Sequence, residues 1–167
     1  QDSSLIIEIL KKDIILNLND GQALGWSKEI KKILNNYKKK FLLRLISWGD
    51  ADMINFYNHQ HNFILPLAAN KKPCGETYSY ELKKWNCNIA IPFSCFHRYV
   101  RKDSMLMNKF TTPIEKHYEN FDNANGEMFP AFIVWDSQKN EYTNIKAEPN
   151  NDEIRSTHLY MITNNVA

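Results

Sequence analysis

Apolar positions in the opening segment recur with a helical spacing. Between Ser3 and Leu18 the residues Leu5, Ile6, Ile9, Leu10, Ile14 and Leu18 place several side chains on one face of a helix. Ser3 or Ser4 would cap it, and Asn19-Asp20-Gly21 would end it. The many isoleucines would also suit a strand. A second helix is predicted from Ser27 as N-cap, with Ile30, Ile33, Leu34, Tyr37 and Phe41 following at offsets of 3, 4, 7 and 11 from Ile30. It ends near Lys40, leaving Phe41 to Trp48 as a buried strand, or runs on through Leu45; Gly49 stops either version.

Further along, Asp50 to His61 reads as a short helix and loop. Thr77 to Trp85 alternates like a strand, and Asn88 to Phe93 is a short apolar run closed by Pro92. Thr112-Pro113-Ile114-Glu115 predicts a helix start. Thr112 would cap, Pro113 would take the first turn where its missing N–H costs nothing, and Glu115 would complete a capping box. That helix should end near Phe121. The last third reads as antiparallel strands: Phe129 to Trp135, a turn over Asp136 to Asn140, Glu141 to Ala147, and Thr157 to Thr163. Phe129, Phe132 and Trp135 are expected in the core. The fold class expected is α+β, with amphipathic helices at the N-terminus and a mainly antiparallel sheet weighted to the C-terminal half.

At 167 residues and 43% hydrophobic, the chain suits one globular domain with its own core, over residues 1–167. The longest apolar stretch, Phe63 to Ala69, is far short of the roughly 20 residues a membrane span needs. The first residues, Gln1 to Glu8, lack the basic start and long apolar stretch of a secretion signal. Three cysteines, Cys74, Cys87 and Cys95, point to a reducing compartment rather than a disulfide scaffold. The expected location is the cytoplasm.

Charge changes the picture most. The net charge of +2 conceals a partition: residues 1–110 hold 17 Lys/Arg and 10 Asp/Glu, giving +7, and residues 111–167 hold 4 and 9, giving −5. In and after the second helix, Lys28, Lys31, Lys32, Lys38, Lys39, Lys40 and Arg44 face only Glu29. Then come Lys83-Lys84-Trp85 and the run Arg98-Tyr99-Val100-Arg101-Lys102. A concentrated positive face attracts phosphates and releases their counterions on binding. Trp85 and Tyr99 are candidates to stack on unpaired bases. The bland alternative is a solvated helix face, since charge runs are common. The expected partner is nucleic acid, DNA before RNA, or a protein complex bound to it, with no membrane partner.

Candidate chemistry is thinner. Glu81-Leu82-Lys83 on an expected strand, with Asp50 and Asp52 upstream, resembles the core of the PD-(D/E)xK nucleases. The resemblance implies a Mg²⁺ site held by carboxylates, with the lysine acting on the attacking water. Where that pattern has Pro-Asp, this chain has Gly49-Asp50. Cys74, Cys87, Cys95 and His97 are spaced unlike known zinc sites, and His59 with His61 lacks a third ligand nearby. Cys95 and His97 lack an orienting third group for nucleophilic catalysis. There is no Gly-rich phosphate loop and no nucleophile elbow. No catalytic residue, metal or cofactor is therefore expected.

Abundant Asn, Lys and Ile, encoded by AT-rich codons, together with the size, make the chain similar in character to the small early host-takeover proteins of large AT-rich phages of the T-even kind. That resemblance implies interference with host DNA or transcription. The leading expectation is a non-catalytic binding protein with a basic surface. The alternatives are a metal-dependent nuclease and an inhibitor or immunity-type interaction factor whose acidic C-terminal third makes the contact.

Overall fold

The computed structural model describes residues 4–19, 21, 23, 25–46, 57–66, 69, 73–93, 99–102 and 105–145. The chain opens with strands, not a helix. β1 (Leu5–Ile9) and β2 (Asp13–Asn19) form an antiparallel hairpin. Its turn carries Leu10 and Lys11 at φ of 51° and 54°, and the Lys12 N–H donates to the Ile9 carbonyl at 2.9 Å. The helical reading of this segment is overturned by β-branched content and by alternation. Ile14, Leu16 and Leu18 are buried on one face of β2, while Ile15 and Asn17 lie on the other. The turn has no Asn-Gly or Asp-Gly signal, so nothing in the sequence marked the break.

The second predicted helix is present and shorter. α1 (Ser27–Leu34) buries Ile30 and Leu34, leaves Ile33 43% exposed, and is preceded by Trp26 at the N-cap rather than Ser27. Asn35 and Asn36, poor helix formers, end it. The chain then enters β3 (Lys39–Arg44), so the strand begins earlier than Phe41. α2 (Cys74–Trp85) occupies the segment expected as a strand. Its buried residues Cys74, Gly75, Tyr78, Ser79, Glu81, Leu82 and Trp85 recur at helical spacing, which the local alternation obscured. β4 (Ile89–Pro92) follows.

The N-cap position predicted for Thr112 falls on Pro113. Three short 3₁₀ segments follow β4, Met105–Phe110, Ile114–Tyr118 and Asn123–Asn125, and the one beginning at Ile114 has Pro113 before it with no side-chain capping bond. That segment ends at Tyr118, three residues short of Phe121. β5 (Glu127–Met128), then the hairpin of β6 (Ile133–Asp136) and β7 (Glu141–Asn144), complete the described elements. The hairpin and its turn were anticipated, although Phe129 to Phe132 precede the strand. The expected strand at Thr157 to Thr163 lies outside the described residues.

Helices and strands thus combine as α+β, but the sheet is mixed and begins at the N-terminus. Its order is β1-β2-β3-β4-β5, with β1 antiparallel to β2 and every later pair parallel. Successive parallel strands are added in one direction, so crossovers of one hand put both helices on one face. The core agrees: Ile30 and Leu34 of α1, and Tyr78, Leu82 and Trp85 of α2, pack with Ile14, Leu16, Leu18, Leu42 and Ala90. The opposite face carries Phe41 and Ile89, which pack with Phe129, Ile133 and Trp135. The result is helices, sheet and C-terminal hairpin in three layers. No helix among the described residues is long and apolar enough to cross a membrane.

Candidate nucleic-acid interface

The parallel arrangement decides where the lysines go. β2, β3 and β4 run the same way, with Asp13 level with Lys39 and Phe41 level with Ile89. The starts of these strands therefore share one end of the sheet. The β1–β2 turn brings Lys11 and Lys12 to that end, and the start of β3 brings Lys38, Lys39 and Lys40. Both helices run back across the sheet, so their last turns arrive there with Lys31 and Lys32 and with Lys83 and Lys84.

Polar contacts bind this rim into a unit. The Asn86 amide donates to the Asn35 side-chain oxygen at 2.8 Å, joining the two helix ends. Asn88 donates to the Lys38 carbonyl at 2.6 Å and accepts from the Lys40 N–H at 2.8 Å, joining β4 to β3. Asn86 takes the left-handed conformation at the end of α2, which asparagine tolerates. The β6–β7 turn docks alongside. Asp13, 1% exposed, accepts from Trp135 Nε1 at 2.9 Å and from the Ser137 hydroxyl at 2.6 Å on the same oxygen. Its other oxygen is buried with no hydrogen-bond partner among the described residues. Lys12 Nζ donates to the Ser137 carbonyl at 2.6 Å, and Lys39 Nζ stands 4.3 Å over the Trp135 ring. Lys139, in that turn, joins the rim.

Acids at this end are fewer and mostly engaged. The Tyr37 hydroxyl donates to Glu8, which raises the tyrosine's pKa. Asp136 is held below the usual carboxylate range by the Lys139 N–H, helped by the Gln138 N–H and the Lys139 charge. Glu127 and Glu141 are exposed. Lysines in the last turn of a helix also complement its negative end, worth about 0.3–1 kcal/mol each. That accounts for four of the rim lysines, and Lys84 and Lys139 are each also paired with an acid, Glu81 at 3.4 Å and Asp136 at 3.6 Å. It does not account for those in the hairpin turns or at the start of β3.

The other residues singled out from the sequence scatter. Lys28 is exposed in the first turn of α1, away from the rim. Arg44 lies at the far end of β3, and Trp85 is 2% exposed and cannot stack on a base. These two share a cluster built on Glu81. Arg44 Nη1 lies 3.3 Å from Glu81 Oε2, Trp85 Nε1 donates to the same oxygen at 3.0 Å, and Lys84 Nζ lies 3.4 Å from Oε1. Glu81 is 5% exposed on a helix, while Lys83 is exposed. The strand placement that made Glu81 and Lys83 resemble a nuclease core is thereby corrected. The Glu81 carboxylate is neutralised by neighbouring donors, a structural use. Asp50, Asp52, Cys95, His97 and Arg98 lie outside the described residues.

Tyr99 is half-buried, with its N–H and carbonyl both bonded to the Asn108 side chain at 2.8 Å; Arg101 and Lys102 are exposed beside it. Cys74 and Cys87 are buried, and no cluster of three metal-ligating residues occurs among the described residues. Sequence reasoning missed Lys11, Lys12 and Lys139 because their turns were hidden or counted with the acidic third. Compared with known proteins, the chain matches no family model, no curated protein and no solved structure.

Proposed function

We propose that the chain is a non-catalytic binding protein that grips nucleic acid, DNA in first place, or a nucleic-acid-bound complex, through the lysine rim. The observation that carries this reading is the convergence of cations from five separate segments on one end of the sheet. A dispersed set would be screened at about 8–10 Å in physiological salt, whereas a concentrated one adds its potentials. Interference with host DNA or transcription, as in the phage proteins that the composition resembles, is the role that follows. The test is a salt series of binding to duplex DNA and RNA. Log K should fall linearly with log salt, by about 0.9 per phosphate contact on duplex DNA. Absence of binding at low salt would remove direct contact and leave a protein partner. The same preparation should not cleave DNA in Mg²⁺, because Glu81 is already occupied by Arg44, Lys84 and Trp85.

A further inference from the structure

The connection leaving the far end of β3 carries a second feature. Tyr57 and Phe63 form an isolated antiparallel bridge, closing a loop whose interior is tightly bonded. The Asn58 side-chain oxygen accepts from the N–H groups of Gln60 and Asn62, both at 3.0 Å. The Asn58 N–H donates to the Asn62 carbonyl at 3.0 Å. The loop thereby holds two aromatic rings ready on the surface, 63% and 51% exposed. Their centroids are 6.2 Å apart at 80°. Lys109 Nζ is 5.9 Å from the Phe63 ring and 4.8 Å from the Phe110 ring, which joins the 3₁₀ segment Met105–Phe110 to the loop. The Met105 N–H donates to the Arg101 carbonyl at 2.9 Å, so Arg101 and Lys102 adjoin the same segment.

Exposed large rings cost hydration free energy unless something covers them. What covers these is indicated by charge. The described residues of 57–66 and 99–110 include Arg101, Lys102 and Lys109 and no acid; Asp103, outside the described residues, is the one acid in either stretch of sequence. Exposed rings set among cations suit a polyanion with flat apolar faces. We infer that the Tyr57–Phe63 loop with Lys109 is a stacking platform for unpaired bases of a single nucleic-acid strand, built from residues distinct from those of the lysine rim.

This inference rests on the nucleic-acid reading above, and one experiment separates the two. Binding of the full chain to oligothymidylate of about twenty nucleotides and to a duplex of the same length is measured for wild type, Tyr57→Ala, Tyr57→Phe, Phe63→Leu and the rim variant Lys38→Gln. Tyr57→Ala should weaken single-strand binding roughly tenfold, the loss of one stacked base, and leave duplex binding unchanged. Tyr57→Phe keeps the ring and should stay within about twofold of wild type. Phe63→Leu keeps apolar volume and serves if the alanine variant fails to fold; it too should lose single-strand affinity. Lys38→Gln should weaken duplex binding. If the aromatic variants fold and bind oligothymidylate like wild type while Lys38→Gln weakens the duplex, the platform is wrong and the rim stands. If wild type binds neither strand form, the platform falls together with direct nucleic-acid contact at the rim, and a protein partner remains. If polyglutamate binds at the rings and oligothymidylate does not, the platform is overturned in favour of an acidic protein.

Discussion

Glu81 shows how a single residue changes meaning with its surroundings. In the sequence it stands one residue before Leu82 and two before Lys83, the spacing of a metal-binding strand. In the fold it is a buried anion shared by Arg44, Lys84 and Trp85. Removing it strands the Arg44 guanidinium, whose side chain is only 16% exposed. Glu81→Ala should therefore lower stability by about 2–4 kcal/mol, read as a shift of the urea midpoint. Arg44→Met with Glu81→Leu should recover part of that loss, because no charge is left orphaned, although the buried Trp85 Nε1–H still loses its acceptor. Cys87 offers a second residue-level test. Burial pushes its thiol up to about 12 from 9.0, against a smaller opposite pull from Lys40. The folded state thus holds a proton that the unfolded state gives up first. The stability this contributes is complete below about pH 9 and is lost as pH rises toward about 12. At pH 8 the thiol should resist iodoacetamide in the folded protein and react in urea, as followed by mass spectrometry of the Cys87 peptide.

At the scale of elements, α2 is positioned by a close approach as much as by its apolar face. An added Cβ at Gly75 would stand 2.7 Å from the Phe121 nitrogen and 2.9 Å from the Tyr118 carbonyl oxygen, both backbone atoms that cannot swing away. Ser79 extends the seam, donating to the Gly75 carbonyl at 2.9 Å and accepting from the Asp122 N–H at 2.8 Å. Helix propensity favours alanine over glycine by about 1 kcal/mol. The clash should win here, so Gly75→Ala is expected to destabilise by about 1–3 kcal/mol in chemical denaturation. A stabilised variant would show that residues 118–121 yield to the helix. The elements also show where local pattern was sufficient. α1 was legible because Ile30 and Leu34 repeat at helical spacing beside exposed lysines. β4 and the β6–β7 hairpin were legible from short apolar runs and a turn rich in polar residues. β2 and α2 were misread because several spacings fit the same few apolar residues, and only the partners they pack against select one.

For the molecule as a whole, the rim makes a spatial prediction. Lys32→Gln, Lys38→Gln and Lys83→Gln come from three separate elements, yet each should weaken duplex binding modestly and reduce the salt slope by about one unit per lost contact. Lys28→Gln, one turn further back on the same helix, should have a smaller effect on both than Lys32→Gln. Stability should hardly change in any of the four, since exposed charges contribute little to folding. Equal effects at Lys28 and Lys32 would mean that total charge, rather than the rim, governs binding. By itself the sequence determined the charge partition, the lysine-bearing helix α1 and the apolar runs that became β3 and β4, because each is a property of neighbouring residues. The tertiary structure alone decided that lysines from the turns, the helix ends and the start of β3 meet at one end, that Glu81 is buried against Arg44, and that Tyr57 and Phe63 stand together. Those facts depend on parallel pairing and crossover direction. Both are selected by burying the two faces of the sheet at once, which no local spacing encodes.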